Sequence, residues 1–359
     1  MTSPGDNYPT MSNSDDNNSS STCILADPSD ICLQVPLEAG YKNIRVSSTV
    51  LCLASKVFTG MLGANSKFRE AQLVGVGRED AFVALHDDNY DALLTILRVI
   101  HMQTTLVPLT NTVDNIYQIA VLCDKYEIAA PLVPWIQLWT SSLLKDMPTS
   151  DSIKWLFISW VFRKPRMFQR FSKDLISASV LNDDLILMTD QGEMYPDVIP
   201  ERLIKAITRQ RRVFLHALQT ICVAEFETYC RYKLQGKNRC QLRDKKNDCD
   251  AMGVGIMLRF LMSSGMWPKL EYPNSQSIRL ALGKIDTIED FGAQITFFQQ
   301  GRSHNEGNHV GCGPKGRLHL AATQAGILNI KGLEITEFYA KEDIFFSGEL
   351  KPMKDTESV

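Results

Sequence analysis

The chain has 359 residues, enough for two domains, and 44% of them are hydrophobic, which suffices for sizeable cores. A formal net charge of −3 argues against a dominant nucleic-acid or membrane surface. No run of about 18 apolar residues occurs, the N-terminus lacks the basic start and apolar stretch of a secretory leader, and nine cysteines in a chain this long suit a reducing compartment, so a nuclear and/or cytoplasmic protein is expected.

The first 26 residues read as a disordered tail, because Met1 to Thr22 are crowded with Ser, Asp, Asn and Pro and bury too little apolar surface to offset ordering entropy. Ile31, Leu33, Val35 and Leu37 then alternate with Cys32, Gln34 and Pro36, the period of a half-buried strand. Glu38-Ala39-Gly40 supplies a turn in which Gly40 is free to take positive φ, and Ile44 and Val46 resume the alternation, so a hairpin is predicted. Ser47 or Ser48 can cap the next helix, whose apolar face is Val50, Leu51, Ala54, Val57, Phe58, Met61 and Leu62, with Gly63 suited to a left-handed cap. A short strand follows at residues 81–85. Asp87, Asp88 and Asn89 offer caps for a helix bearing Leu93, Leu94, Leu97 and Ile100, and Thr112 for one bearing Ile116, Ile119 and Cys123. Pro131 sits in the first turn of a last helix with Trp135, Ile136 and Trp139.

This order of elements resembles a BTB/POZ domain, a protein-interaction module. The residues that carry the likeness are Asp30, the strands Ile31–Val35 and Ile44–Val46, then Leu51, Ser55 and Phe58, then Leu85-His86-Asp87-Asp88, and finally Leu122, Lys125 and Tyr126. Pro134-Trp135 and Trp139 are similar to a variant found among filamentous fungi. The resemblance covers about a third of the chain and implies an α+β domain over residues 27–145 that supports self-association, as a homodimer, or recruits protein partners. Where the family often has a His before the first helix this chain has Ser47, which removes a feature some members use to bind co-repressors. Phe68-Arg69-Glu70 lies where some members contact a cullin, so Phe68 and Glu70 are candidate partner-binding residues for a substrate adaptor of a cullin-type ubiquitin ligase. The competing reading has Phe68 packing on the preceding helix.

Residues 146–350 read as a mostly helical second domain, and 351–359 as a frayed tail. Ile153, Leu156, Phe157, Trp160 and Val161 form one apolar stripe, ended near Pro165, and Met167, Phe168, Phe171, Leu175 and Ile176 form another. Residues 182–200 are looser. A long helix is predicted from Pro200 to about Tyr232, with Leu203, Ile207, Phe214, Leu218 and Ile221 inward, and a further one from Asp250 to Gly265. Arg209, Arg211 and Arg212, continued by basic residues 233–246, lack interleaved aromatics and read as a solvated face and loop rather than a nucleic-acid site.

Chemistry, if the chain has any, lies in its later cysteines and histidines. His309 and Cys312 have the spacing of a metal-ligand pair within a Gly-rich loop. Cys222 and Cys230 on one helix are about 12 Å apart in rise, too far to share an ion bound at about 2.3 Å. Cys240 follows a break at Gly236, and Cys249 precedes the helix from Asp250. The stretch from Cys240 to Gly255 also resembles the C-terminal part of fungal BTB proteins, which pair such cysteines with a later His-x-x-Cys. That implies a structural zinc on Cys240, Cys249, His309 and Cys312, with Cys230 in reserve for Cys240; the alternative is ordinary thiols and a loop histidine. A metal-dependent enzyme built on the same cluster is the reading of another class, with Glu306 as its one nearby base, but four Cys/His ligands would close the site to substrate. Gly253-Val254-Gly255 lacks a third glycine and a preceding strand, and there is no P-loop, His-Glu-x-x-His or Gly-x-Ser-x-Gly, so a non-enzymatic interaction protein is expected.

Overall fold

The computed structural model describes residues 22–38, 40–74, 82–143, 151–235, 240, 246–267, 276–288 and 313–339. The chain divides into two compact units, Met1–Ser142 and Leu143–Val359. It mixes helix and strand, with its larger sheet near the N-terminus.

In the first unit, β1 (Thr22–Ile24), β2 (Ile31–Leu37), β3 (Gly40–Val46) and β4 (Phe82–Ala84) form a sheet of order β1-β3-β2-β4. The predicted hairpin is present: β2 and β3 run antiparallel from Ile31 opposite Val46 to Leu37 opposite Gly40, and Gly40 has a φ of 111°. Ile31, Leu33, Val35, Ile44, Val46 and Val83 point to one face and are buried there. β4 lies parallel to β2, and β1 parallel to β3. β1 corrects the expected tail of residues 1–26. Thr22–Ile24 gain backbone partners on β3, Leu25 is buried, and the Gln103 side chain donates to the Leu25 carbonyl at 3.0 Å.

The single helix expected over residues 50–62 is two, α1 (Ser48–Ala54) and α2 (Lys56–Leu62). Ser55 breaks it in an extended conformation, its Oγ accepting from the Phe58 N–H at 3.0 Å to cap α2. Neither Ser47 nor Ser48 caps α1 with its side chain; Asp30, just before β2, does so, accepting from the Ser48 N–H at 2.7 Å. Gly63 is extended (φ −64°, ψ 157°) and not left-handed. Asn89 and Thr112 cap α3 (Tyr90–Ile100) and α4 (Val113–Lys125) as predicted, accepting from the N–H groups of Ala92 and Asn115. Pro131 sits in a 3₁₀ turn that leads into α5 (Val133–Leu143). Leu51, Leu93, Leu97, Ile116, Ile119, Ile136 and Trp139 complete the core.

The second unit comprises α6 (Ser152–Val161), α7 (Pro165–Ala178), a small hairpin of β5 (Val180–Leu181) and β6 (Leu187–Met188), α8 (Glu201–Leu234), α9 (Lys246–Ser263), α10 (Ile278–Asp286) and α11 (Pro314–Gln324). The hairpin begins just before the stretch read as loose, with the Asn182 side chain accepting from the Ile186 N–H at its turn. On α8 the inward set is Leu203, Ile207, Arg211, Leu215, Leu218 and Cys222, so Phe214 and Ile221 are only half-buried and yield the deepest places to their C-terminal neighbours. The segment after α11 returns to α7: the Leu333 N–H donates to Ser172 Oγ at 2.8 Å, and Gly332 passes so close that a β-carbon there would stand 1.7 Å from the Gln169 carbonyl oxygen. Phe338 and Tyr339 then pack on Trp160, with ring centroids 5.4 and 4.7 Å away, and the Arg202 guanidinium lies 4.5 Å from the Trp160 ring centroid.

Candidate functional site

Residues quoted above from two other motifs meet at Tyr126, the C-cap of α4. Phe58 stacks on its ring with centroids 4.6 Å apart. Ser55, already the cap of α2, donates its hydroxyl proton to the Tyr126 carbonyl at 2.5 Å. The Tyr126 hydroxyl donates to one oxygen of Asp88 at 2.5 Å, while Lys125 pairs with the other at 2.6 Å. Asp88 is buried, so each of its oxygens needs such a partner. Burial, and then the bond given to Asp88, raises the Tyr126 hydroxyl well above its ordinary range, which keeps it a neutral donor. Asp30 makes a second tie, accepting from both the N–H and the hydroxyl of Ser48 at 2.7 and 2.6 Å. These groups are paired and packed rather than poised for proton transfer. Their chemistry is positional: they hold α1, α2 and the end of α4 in register with the sheet.

His101, just past α3, adds a third tie that periodicity could not disclose. Its Nε2 accepts from the Ser47 N–H at 3.2 Å and its Nδ1 lies 2.9 Å from the Leu97 carbonyl. A backbone N–H can only donate, so Nδ1 carries the proton and the ring is neutral. Burial lowers its pKa, opposed in part by the bond to Leu97.

This scaffold presents apolar side chains to solvent. Leu53 on α1 is 88% exposed, Tyr41 on β3 56%, and Ile24 on β1 60%. Phe68, which precedes a 3₁₀ turn (Arg69–Leu73), is 61% exposed, and its N–H donates to Ser66 Oγ at 3.1 Å. Phe68 is thus mostly solvent-exposed. Glu70, in the first turn of the same element, is half-buried.

In the second unit, Cys240 and Cys249 are both buried, and the Cys240 N–H donates to Asp250 Oδ1 at 3.1 Å, which brings the two cysteine segments together. Cys249 lies within α9, which starts at Lys246; it does not precede the helix as expected. His309, Cys312, Glu306 and the Gly-rich loop up to residue 312 lie outside the described residues, as do residues 340–359 and the linker at 144–150. Among the described residues no group of three or more His, Cys, Asp or Glu side chains is placed to hold a metal ion. Cys222 and Cys230 share the continuous helix α8, and burial, with Glu225 nearby, pushes the Cys222 thiol up to about 12.

Two other sequence features take structural roles. Arg211, read as part of a solvated basic face, is buried. Its Nε donates to the Ser179 carbonyl at 2.9 Å and its Nη2 to the Gln276 carbonyl at 2.6 Å, while burial lowers its pKa to about 10. Gly253 of the Gly-x-Gly fragment faces Tyr229 of α8, where a β-carbon would stand 2.5 Å from the ring. Its small size serves helix packing. The same Tyr229 meets Arg317 of α11, which also pairs with Glu225 at 2.7 Å.

No protein-family model matches the chain, and no curated protein matches it. No helix among the described residues is long and apolar enough to cross a membrane.

Proposed function

We propose that the first unit is a BTB/POZ-type interaction module and that the protein works, in the nucleus and/or cytoplasm, by binding other proteins rather than by catalysis. One observation supports this reading above the rest. Ser55, Phe58, Asp88, Lys125 and Tyr126, singled out by the resemblance from separate stretches of sequence, converge on one buried and mutually bonded group. An accidental likeness would have no reason to bring them together. Self-association draws support from Leu53 and Tyr41, exposed apolar residues on the first helix and the hairpin. Sedimentation of the full chain over a range of concentrations tests it. Wild type is expected to dimerise and Leu53→Asp to stay monomeric with unchanged thermal unfolding. A wild type that remains monomeric throughout removes self-association and leaves partner recruitment.

A second reading makes the protein a substrate adaptor of a cullin-type ubiquitin ligase, favoured by the exposure of Phe68, since exposed aromatic anchors are common centres of interfaces. The host's cullin should co-precipitate with wild type and be lost with Phe68→Ala/Glu70→Ala. Equal recovery with both, or recovery with neither, removes this reading.

The pairing of the Cys240 and Cys249 segments favours a structural zinc completed by His309 and Cys312, with Cys230 as the substitute for Cys240. Four such ligands would leave no open position for a substrate, so the metal would hold the fold and not turn over a reaction. Elemental analysis of protein purified without added metal should find zinc, diminished by Cys249→Ser and by Cys312→Ser. Less than about 0.2 zinc per chain, or zinc unchanged in both variants, leaves these residues as ordinary thiols and a histidine.

A further inference from the structure

We propose that His101 is a proton-operated latch on α1: with one proton it holds the start of the helix, and a second proton releases it. The Ser47 N–H donates to Nε2 at 3.2 Å, and Nδ1 is committed to the Leu97 carbonyl at 2.9 Å. Nε2 is therefore the nitrogen left to take up a second proton. That proton would stand against the Ser47 N–H, donor facing donor, and the bond is lost. Ser47 is the N-cap of α1, and its carbonyl accepts from the Leu51 N–H at 3.1 Å, so its release frees the first turn. The ring is half-buried, within reach of solvent protons.

The surroundings leave the ring as the group that responds. Burial and then the Leu97 bond set its acidity, with no charged group among the described residues contributing. On α3, Arg98 gives its Nη1 to the Leu106 carbonyl; just before β2, Asp30 accepts both bonds from Ser48; past α3, the neutral Gln103 donates to the Leu25 carbonyl. On α1 itself, burial raises the Cys52 thiol, which stays neutral at acidic pH. The far end of α1 is fastened separately, because the Ser55 N–H donates to the Leu51 carbonyl and its hydroxyl to the Tyr126 carbonyl. The opening is thus local, at the first turn. With seven residues α1 has about two turns, so loosening one disturbs the other, where Leu53 stands 88% exposed. Proton uptake thereby changes the surface that a partner meets; this last step alone rests on the interaction reading.

The test follows hydrogen exchange of the full chain at about pH 7.5 and about pH 5, expressed as protection relative to the intrinsic rate at each pH. Protection of the Ser47 and Leu51 amides should fall at the lower pH by about fivefold or more, the loss expected for one hydrogen bond. At that pH they should also exchange faster than the amides of β2 and β3, the mark of a local opening. His101→Gln, whose side-chain carbonyl can accept from Ser47 at either pH, should abolish the fall, whereas any part that belongs to Asp30 would persist in it. Equal protection at both pH values, one common rate for α1 and the sheet at the lower pH, or an undiminished fall in His101→Gln overturns the latch. The first two outcomes are read in the wild type and do not depend on the variant folding. Sedimentation at the same pH values separates the latch from the interaction reading. Dimers of wild type, but not of His101→Gln, should weaken at the lower pH. Dimers that weaken equally in both overturn the coupling to the Leu53 surface, and a chain monomeric at both pH values removes self-association while exchange still decides the latch.

Discussion

In the first unit, distant segments are tied by polar side chains: Asp30 to Ser48, Ser55 and Asp88 to Tyr126, His101 to Ser47. In the second, the return of the C-terminal segment has one such tie, from the Leu333 N–H to Ser172 Oγ, and otherwise relies on rings, a guanidinium and the absence of a side chain, with Phe338 and Tyr339 on Trp160, Arg202 over the same indole, and Gly332 against α7. A hydrogen-bonded tie is directional, and losing one partner strands the other in a site with no water. A packed tie depends on volume and tolerates chemical change better than change of size. The ties of the first unit should therefore be the more sensitive to polarity, and the C-terminal return of the second to bulk.

The largest effect is expected from Leu51→Asp. Leu51 is fully buried, and an unpaired carboxylate there costs several kcal/mol, enough to unfold the first unit. Hydrogen exchange should show lost protection in β2 and β3; retained protection would mean that the core of this unit lies elsewhere. Next comes Gly332→Ala. The new methyl meets a backbone oxygen, which cannot rotate away as a side chain could, and a loss of about 3 kcal/mol is expected. Exchange should quicken in α7 while β2 and β3 stay as they were. Uniform quickening in both would break the distinction between the units.

Tyr126→Phe sharpens it. The ring stack on Phe58 survives but Asp88 loses one donor, so a loss of about 2 kcal/mol is expected at almost constant volume. A change of melting temperature within error would show that polarity is not what the first unit depends on. The smallest effect concerns His101. Burial sets its folded pKa below the unfolded value of 6.5, so as pH falls through that value the unfolded chain takes up a proton that the folded ring resists. Its contribution is present above the unfolded pKa and is lost as pH falls toward the folded one. Denaturant midpoints between neutral and mildly acidic pH should fall less steeply in His101→Gln than in wild type. Parallel profiles would assign the pH dependence to other groups.

Local chemistry was readable in the sequence. Alternation located the hairpin, and Asn89 and Thr112 announced their helices because a cap acts within three residues. What escaped depends on partners far along the chain. The break at Ser55 is stabilised by residue 126, and Asp30 displaced the serines as the cap of α1 from across the sheet. Arg211 looked like a surface charge because the carbonyls that receive it belong to residues 179 and 276. The Gly-x-Gly fragment at Gly253 lacked the pattern of a dinucleotide site, and the packing reason for that glycine, Tyr229, lies on another helix. Of the candidate site residues, the exposure of Phe68 could not be inferred from a three-residue motif. The closeness of the Cys240 and Cys249 segments rests on the Asp250 carboxylate, which no ligand-spacing rule includes.

Among the described residues the sheet of the first unit ends on both sides in strands of three residues, β1 and β4. Such an edge exposes too few N–H and C=O groups to template a foreign strand, which guards against ladder-to-ladder growth between copies. The exposed Leu53 and Phe68 stand apart from these edges, so under the proposed interaction role substitutions there would change side-chain contacts without lengthening a free strand edge.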